Sequence, residues 1–530
     1  MKKTAKTLLA TLLALTMLCA LALPVWADTT KEDLSTHTFK VYQIFKGTYD
    51  ATSGKLSNIE WGDGVKSADL LSELKGDATL WDSFLNATTA RDVAEVMKDW
   101  KDSDEKSIAF ARIVYKNKIA SKATPFSGTS FTAKEAGYYL IVDNTTSNTY
   151  SYVAKNFSIL KVLDPNTPYT IESKAVKPTV EKFVKNRNGD WAKYADYALG
   201  DEIEFKLVAT LPASSAYDFY DRYAFFFQDV LTAGFTYDSG ASVDKVTIAA
   251  GTGTAVGSAV VLDPNKYTLD LSNVANTTIP SFTVTIPNAK MADATITSET
   301  LKNEGATIEV HYRAHLNTKA AITTYLAAPQ STKNTTDVQL FYCNDPHDST
   351  SRDITPPDNV YVFTYGLEYT KYADKAEDAN RLGGAGFELH NAAGAMTFTG
   401  SDVTYTYSKT STNTTTTLLS SDTAATRGQF KVNGLAAGTY TLKETLTPAG
   451  YNTCADLPVV IKPAYTLAAD GTVTVDLSKS PSMSQNIINQ SGVVLPSTGG
   501  MGTTLFYVVG GLLMVGAAVL LVTKKRMQKN

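Results

Sequence analysis

Cysteine and charged residues are scarce in this 530-residue sequence. Its three cysteines are too few for a disulfide framework in a chain of this length. Cys343 and Cys454 fall in segments that we expect to be separate domains, although a bond between them stays open as an alternative. The net charge is only −4, which gives no indication of nucleic-acid binding.

Histidine is equally scarce, with five in the chain. His311 and His315 share one face of a predicted strand, but two histidines without a third ligand rarely form a metal site. Walker, EF-hand and Ser-His-Asp patterns are also missing from the sequence. We therefore expect no metal, no cofactor and no enzyme that acts on an external substrate.

The N-terminus has the pattern of a secretory signal peptide. Three lysines precede an apolar stretch over residues 8–23, and Val25-Trp26-Ala27 offers small residues for cleavage. We expect residues 1–27 to be removed on export, and Cys19 with them.

The C-terminus combines a pentapeptide, an apolar run and a basic tail. The pentapeptide is Leu495-Pro496-Ser497-Thr498-Gly499, and the apolar run covers about 505–522. At ~1.5 Å per residue, a helix of this length crosses a bilayer, and the basic tail holds its end in the cytoplasm. In this order, residues 495–530 resemble the cell-wall sorting signal of Gram-positive surface proteins, which a sortase cuts between Thr498 and Gly499. The alternative is an ordinary membrane anchor in which the pentapeptide has no role.

Between these segments roughly 470 residues remain, which suggests three domains of ordinary size. Residues 28–173 begin and end with strand patterns and hold a helical insertion, with Thr88 or Thr89 as its N-cap. Residues 174–357 and 358–494 are nearly all strand, with turn residues at sandwich-like spacing. The predicted fold class is all-β: tandem immunoglobulin-like β-sandwiches behind an N-terminal β domain with helices inserted.

Three polar residues of the last domain fall on faces that strand alternation assigns to the core. Lys371 and Glu444 each end an inward row of apolar residues, and Asn489 lies on the inward face of the last strand. Burying an unpaired charge costs several kcal/mol, so a neutral amine beside a neutral acid is favoured. Such an amine is a nucleophile, and the acid can polarise the asparagine amide and shuttle protons. The pattern predicts a Lys371–Asn489 amide formed with loss of ammonia; the alternative is a buried ion pair beside an amide.

Two phrases in this domain carry a family resemblance. Tyr440-Thr441-Leu442-Lys443-Glu444-Thr445 is similar to the E-box of collagen-adhesin B-type domains, and Gly384-Ala385-Gly386-Phe387-Glu388-Leu389 resembles their second-strand phrase. The mature chain as a whole resembles the major, or backbone, subunits of sortase-assembled pili. The resemblance implies that Lys371, Glu444 and Asn489 form a self-catalysed isopeptide bond, with Glu444 as the promoting acid.

The middle domain resembles the A-type isopeptide domain of the same family. Lys182 and Asp229 fall on inward faces and match the nucleophile and the acid. The acceptor asparagine of the family aligns with Thr336, whereas Asn334 lies two residues earlier on the same face. The resemblance therefore implies a Lys182–Asn334 bond assisted by Asp229, and Thr336 is a departure that argues against it.

Pilus backbones carry a polymerisation lysine between the first two domains, usually in a Tyr-Pro-Lys-Asn phrase. Here the aligned residues are Glu172-Ser173-Lys174-Ala175, which retain only the lysine. The resemblance implies Lys174 as the polymerisation site, with Lys177 as the second candidate.

The resemblance implies a structural role in the shaft of a covalent pilus. The chain would polymerise with itself head to tail, joined by a pilin-specific sortase through Thr498 to a lysine of the next subunit. A housekeeping sortase would attach the polymer to peptidoglycan, and minor tip or base pilins would complete it. The expected location is the cell wall and the surface pilus, after transient membrane anchoring. The alternative function is a monomeric wall-anchored adhesin that binds a host ligand.

Overall fold

The computed structural model describes residues 35, 37–101, 104–145, 157–171, 176–237, 243–252, 259–276, 278–326, 334–344, 350, 352–410, 412, 414–493 and 502–528. Three β domains follow one another along the chain, and a helix ends it. Strands dominate and the helices cluster in the first domain, which confirms the predicted fold class.

The N-terminal domain is a small sheet with helices inserted between its second and third strands. Its sheet has the order β2-β1-β5-β6, with β3 also paired to β1. The strands are β1 (Thr38–Asp50), β2 (Lys55–Trp61), β3 (Thr124–Ser127), β4 (Ser130–Phe131), β5 (Gly137–Asp143), β6 (Phe157–Val162) and β7 (Tyr169–Thr170). The helices are α1 (Ser67–Gly76), α2 (Trp81–Phe84), α3 (Ala90–Met97) and α4 (Glu105–Lys116). The N-cap of α3 is Thr89, whose hydroxyl accepts from the backbone N–H of Asp92 at 3.2 Å.

Two facing sheets form the middle domain, and their strands alternate buried and partly exposed residues as core-forming strands do. One sheet has the order β15-β14-β18-β11-β8-β9 and the other β10-β21-β19-β12-β17-β16, with β13 on β18 and β20 on β19. The strands are β8 (Thr179–Lys185), β9 (Trp191–Ala192), β10 (Tyr194–Asp196), β11 (Glu202–Leu211), β12 (Phe225–Leu231), β13 (Phe235–Tyr237), β14 (Lys245–Ala250), β15 (Val260–Val261), β16 (Thr268–Asp270), β17 (Ser281–Ile286), β18 (Ala306–Leu316), β19 (Asn334–Tyr342), β20 (Asp353–Ile354) and β21 (Asp358–Phe363). One short helix, α5 (Ser298–Asn303), precedes β18.

The middle domain extends past its predicted end at residue 357. β21 runs parallel to β10 and antiparallel to β19, with Val362 opposite Asn334. The backbone pairing of this sheet continues through Phe363. The boundary with the C-terminal domain therefore lies at Thr364 rather than before residue 358.

The C-terminal domain is a second pair of sheets. Their orders are β25-β26-β28-β22-β33 and β24-β23-β29-β30, with β27 on β23, and β31 and β32 form a hairpin. The strands are β22 (Tyr365–Ala373), β23 (Gly386–Asn391), β24 (Gly394–Ala395), β25 (Thr399–Ser401), β26 (Thr404–Thr406), β27 (Leu418–Leu419), β28 (Gln429–Leu435), β29 (Gly438–Leu446), β30 (Leu457–Ile461), β31 (Ala464–Leu467), β32 (Val473–Asp476) and β33 (Ser484–Asn489). β22 and β33 pair in parallel, so the first and last strands of this domain lie side by side.

The β31–β32 hairpin packs against the middle domain. The ring of Tyr465 lies 4.5 Å from the ring of Tyr194, and its hydroxyl lies 2.6 Å from that of Tyr365. Next to this contact, the backbone N–H of Ala437 donates to Asp196 at 2.8 Å. The two sandwiches are thus joined by side-chain and backbone contacts as well as by the chain itself.

The last helix, α6 (Gly502–Met527), has the length and composition of a membrane span over Leu505–Met527, with a mean hydropathy of 2.5. The predicted signal peptide and the pentapeptide at 495–499 lie outside the described residues. Cys343 lies in the middle-domain core and Cys454 is a partly buried thiol of the C-terminal domain. The two cysteines form no disulfide with each other in the described part of the chain.

Candidate functional site

Lys371, Glu444 and Asn489 converge inside the C-terminal domain from three different strands. Lys371 lies near the end of β22, Glu444 near the end of β29 and Asn489 at the end of β33. None of the three is more than 8% exposed. The structure brings together the three residues that strand alternation and the E-box resemblance single out.

Two hydrogen bonds connect the three side chains, with Asn489 in the middle. The Lys371 ammonium donates to Oδ1 of Asn489. Nδ2 of Asn489 donates to Oε1 of Glu444 at 2.7 Å, and the Lys371 Nζ lies 3.7 Å from the same oxygen. The amine therefore faces the amide group, and the nitrogen that would leave faces the carboxyl group.

The surroundings of Lys371 favour its neutral form. Burial lowers the pKa of Lys371, because the charged amine loses its hydration inside the domain. The ring of Phe387, the aromatic residue of the second-strand phrase, lies 5.5 Å from its Nζ. A neutral amine held against an amide is a nucleophile, and a carboxyl group against the leaving nitrogen can deliver a proton.

Cys454 is a neighbour of this site that sequence reasoning missed. Its backbone N–H donates to Oε2 of Glu444 at 2.7 Å, which fixes the second carboxyl oxygen. Burial raises the pKa of the Cys454 thiol to about 11. Ten positions separate Cys454 from Glu444, and only the folded turn after β29 brings them together.

The corresponding cluster of the middle domain is built differently. The Lys182 ammonium donates to Asp229 and to the hydroxyl of Thr336, the latter at 2.5 Å. Tyr312 donates to Oδ1 of Asp229 at 3.2 Å, and all four residues are fully buried. Burial lowers the pKa of Lys182 and raises that of Asp229, while the attraction between the two opposes both shifts.

The structure separates Asn334 from the cluster in which it was predicted to react. Its Oδ1 accepts from the backbone N–H of Ala321 at 2.8 Å, and its Nδ2 donates to the carbonyls of Ala321 at 3.1 Å and Val362 at 3.2 Å. Two residues along a strand correspond to about 7 Å. This offset places Thr336, not Asn334, beside Lys182, so the predicted pairing of Lys182 with Asn334 differs from the observed contacts.

The structure describes one of the two candidate lysines at the junction between the first and second domains. Lys174 lies outside the described residues, whereas Lys177 is exposed between the buried residues Val176 and Pro178. The hydroxyl of Tyr223 donates to the carbonyl of Val176 at 2.9 Å. The hydroxyl of Tyr220 accepts from the Val176 N–H at 3.2 Å. The backbone at Val176 is thus hydrogen-bonded to the middle domain, while the side chain of Lys177 is exposed to solvent.

His311 pairs with Glu309 at 3.0 Å and packs against the ring of Trp191. Within the described ranges, no group of three or more His, Cys, Asp or Glu side chains has the arrangement of a metal site.

Two family matches cover the C-terminal part of the chain. Residues 368–478 match the SpaA family, described as a prealbumin-like fold domain, and residues 487–529 match the LPXTG cell wall anchor motif. Lys371 and Glu444 fall in the first match and Asn489 in the second. The chain therefore ends in a cell wall anchor, whose membrane-spanning part is α6. No curated protein has a sequence that matches this chain.

Several solved structures are similar to this chain. A 35 kDa C-terminal fragment of a Streptococcus agalactiae major pilin is 20% identical, with a TM-score of 0.40, and covers 60% of this chain and 100% of its own. The full-length major pilin SpaD of Corynebacterium diphtheriae is 15% identical, with a TM-score of 0.39 and coverage of 87% and 94%. A backbone pilin of Streptococcus pyogenes with three modular domains is 13% identical, with a TM-score of 0.46 and coverage of 87% and 98%.

Proposed function

We propose that this protein is the structural shaft subunit of a covalently polymerised pilus on the cell surface. The observation that carries the proposal is the cell wall anchor at 487–529 behind tandem β-sandwiches. Such a polymer needs an acyl donor on one subunit and an amine on the next, and the pentapeptide and a junction lysine would supply them.

The acyl donor is Thr498. The membrane span holds the pentapeptide near the outer membrane surface, where a sortase cysteine attacks the Thr498 carbonyl. The peptide bond between Thr498 and Gly499 breaks, and the membrane-spanning segment that begins at Gly499 leaves. The resulting thioester is resolved by a lysine amine of another subunit, which forms an amide and regenerates the thiol. Because the acceptor lies far from Thr498 in the chain, addition repeats with one polarity and gives an open filament.

The acceptor is a lysine of the junction between the first two domains, Lys174 or Lys177. The exposure of Lys177 on a backbone that Tyr220 and Tyr223 hold in place supports this assignment. Growth by a pilin-specific sortase ends when a housekeeping sortase transfers the last thioester to a peptidoglycan amine. Minor tip or base pilins complete the filament.

The C-terminal domain is cross-linked within itself by a Lys371–Asn489 isopeptide bond. The Lys371 nitrogen forms a bond with the side-chain carbonyl carbon of Asn489, and the bond from that carbon to Nδ2 breaks. Glu444 passes a proton from the amine to the leaving nitrogen, which departs as ammonia. Each molecule reacts once, so no substrate pocket is needed. The 2.7 Å contact between Nδ2 and Glu444 supports this path.

An immunoblot of cell-wall extract tests the polymer. A ladder of regularly spaced high-mass bands is expected for the unchanged chain, and Thr498→Ala should remove both the ladder and the anchored monomer. A single anchored band from the unchanged chain would contradict the polymer and support the monomeric adhesin instead.

A further inference from the structure

The middle domain contains a buried reactive cluster from which one chemical group is missing. Lys182 supplies an amine and Asp229 a carboxyl group, as Lys371 and Glu444 do in the C-terminal domain. The position against the amine is occupied by the hydroxyl of Thr336. A hydroxyl group has no acyl carbon, so the amine has nothing there to attack.

Thr336 is well fitted to its place. Its Oγ1 accepts from Lys182 and lies 3.1 Å from the carbonyl oxygen of Val230 and 3.3 Å from Oδ1 of Asp229. Since the hydroxyl can donate as well as accept, it satisfies neighbours on both sides without any covalent change.

Asn334 cannot replace the missing group without losing its present contacts. One oxygen and both amide hydrogens of an asparagine side chain are available for hydrogen bonds, and three backbone groups of Ala321 and Val362 already use them. These bonds pin the segment around Ala321 to β19 and β21. Turning the amide toward Lys182 would leave those backbone groups unpaired.

We propose that Thr336 keeps the middle domain free of an isopeptide bond, and that this one residue decides whether Lys182 and Asp229 form a cross-link or a buried ion pair. With Thr336→Asn, the Lys182 nitrogen would bond to the introduced side-chain carbonyl carbon and the bond from that carbon to its amide nitrogen would break. Asp229 would carry the amine proton to the leaving nitrogen, and ammonia would depart. No oxidant or other reactant is required.

A mechanical consequence follows, and it rests on the proposed pilus function. Pulling force along the shaft would enter the middle domain near β8 and leave it through β21. Lys182 and Thr336 lie 154 positions apart in the chain, and only non-covalent contacts then link their two strands. The middle domain would extend under load, whereas the cross-linked C-terminal domain would not.

Intact mass of the purified, full mature chain tests the inference without any need for a polymer. The unchanged chain should fall short of its sequence mass by one ammonia, from the C-terminal domain, and peptide mapping should recover Lys182 unmodified. Thr336→Asn should fall short by two ammonia, with Lys182 cross-linked to position 336. Adding Asp229→Ala to Thr336→Asn should return the deficit to one, and Thr336→Val should leave it at one.

Three results would overturn the inference. They are a Lys182–Asn334 cross-link in the unchanged chain, a Lys182–Asp229 amide with loss of water, or a protease-resistant Thr336→Asn chain that lacks the second deficit. Should Thr336→Asn fail to fold, Thr336→Asp offers an acceptor that loses water instead, and the mapping of the unchanged chain still decides whether Lys182 is modified. A missing pilus ladder beside the expected masses would refute the shaft function and leave this site assignment standing.

Discussion

The side-chain amide nitrogen of Asn489 donates a hydrogen bond to Oε1 of Glu444 at 2.7 Å. This contact assigns the roles in the C-terminal domain, because the acid touches the group that must leave while the amine touches the carbonyl oxygen. Both contacts lie in a fully buried place, where water cannot compete for the amide.

The first prediction concerns the mass of the chain. Glu444→Gln keeps the shape of the side chain but cannot pass a proton, so Lys371 and Asn489 should remain unlinked. The intact mass should then equal the sequence mass of the variant, without the deficit of one ammonia that the unchanged chain shows against its own sequence mass. Lys371→Met is the matched control and should give the same result. An unchanged chain without any deficit would rule out the bond.

The second prediction concerns stability. Lys371 and Asn489 lie 118 positions apart, and tying a loop of this length should contribute about 4–5 kcal/mol by the chain-entropy relation for cross-links. Glu444→Gln should lower the melting temperature of the C-terminal domain and leave the other transitions in place. Calorimetry of the full chain measures this. Equal melting temperatures would show that the bond adds no stability.

The third prediction is a pH dependence at Cys454. The thiolate is the form that alkylating reagents attack, and burial raises the pKa of this thiol to about 11. Raising the pKa of a thiol lowers its thiolate fraction at any pH below that pKa. At pH 8 the reagent should therefore alkylate Cys454 roughly a hundredfold more slowly in the folded chain than in the denatured chain. The rate should rise with pH toward 11. Peptide mapping separates Cys454 from Cys343, and equal rates in folded and denatured chains would contradict the shift.

The fourth prediction tests the contact between the two sandwiches. Tyr465→Ala removes ring contacts with Tyr194 and Phe363 and should weaken the junction by on the order of 2 kcal/mol. Amide hydrogens of β10 and β21 should then exchange faster. Tyr465→Phe keeps the ring and loses the hydroxyl contacts with Tyr365 at 2.6 Å and Asp196 at 3.5 Å, so its effect should be about 1 kcal/mol. Identical exchange in all three chains would show that the hairpin does not stabilise the junction.

How far the sequence determines these sites differs between the two domains. Strand alternation places Lys371 and Glu444 in the core because buried and partly exposed residues alternate from Leu367 to Lys371 in β22 and from Tyr440 to Glu444 in β29. In the middle domain the same rule puts Asn334 and Thr336 on one face and cannot choose between them. That choice depends on which residue lies opposite Lys182 across the sheets, and alternation carries no such information.

Two further features, the extent of β21 and the hydrogen bond to Glu444, could not be predicted from the sequence because both depend on how the backbone folds. The extent of β21 depends on its pairing with β10 and β19, which are distant in the chain. The hydrogen bond from the Cys454 backbone to Glu444 depends on a turn, and a backbone N–H donor cannot be recognised from the residue type. Backbone contacts of these two kinds are fixed by the fold rather than by the residue types involved.

The last prediction assigns the acceptor lysine. The Thr498 thioester can be resolved by any accessible amine that the sortase can hold, so the site must combine an exposed side chain with a fixed backbone. Lys177 meets both conditions in the structure, whereas the family resemblance favours Lys174. Lys174→Ala should abolish the ladder and leave anchored monomer if the resemblance decides the site, and Lys177→Ala should do so if backbone fixation decides it. Lys177→Arg is the matched control, because it keeps the charge but not a nucleophilic amine. A ladder that persists in the double variant Lys174→Ala, Lys177→Ala would place the acceptor outside this junction.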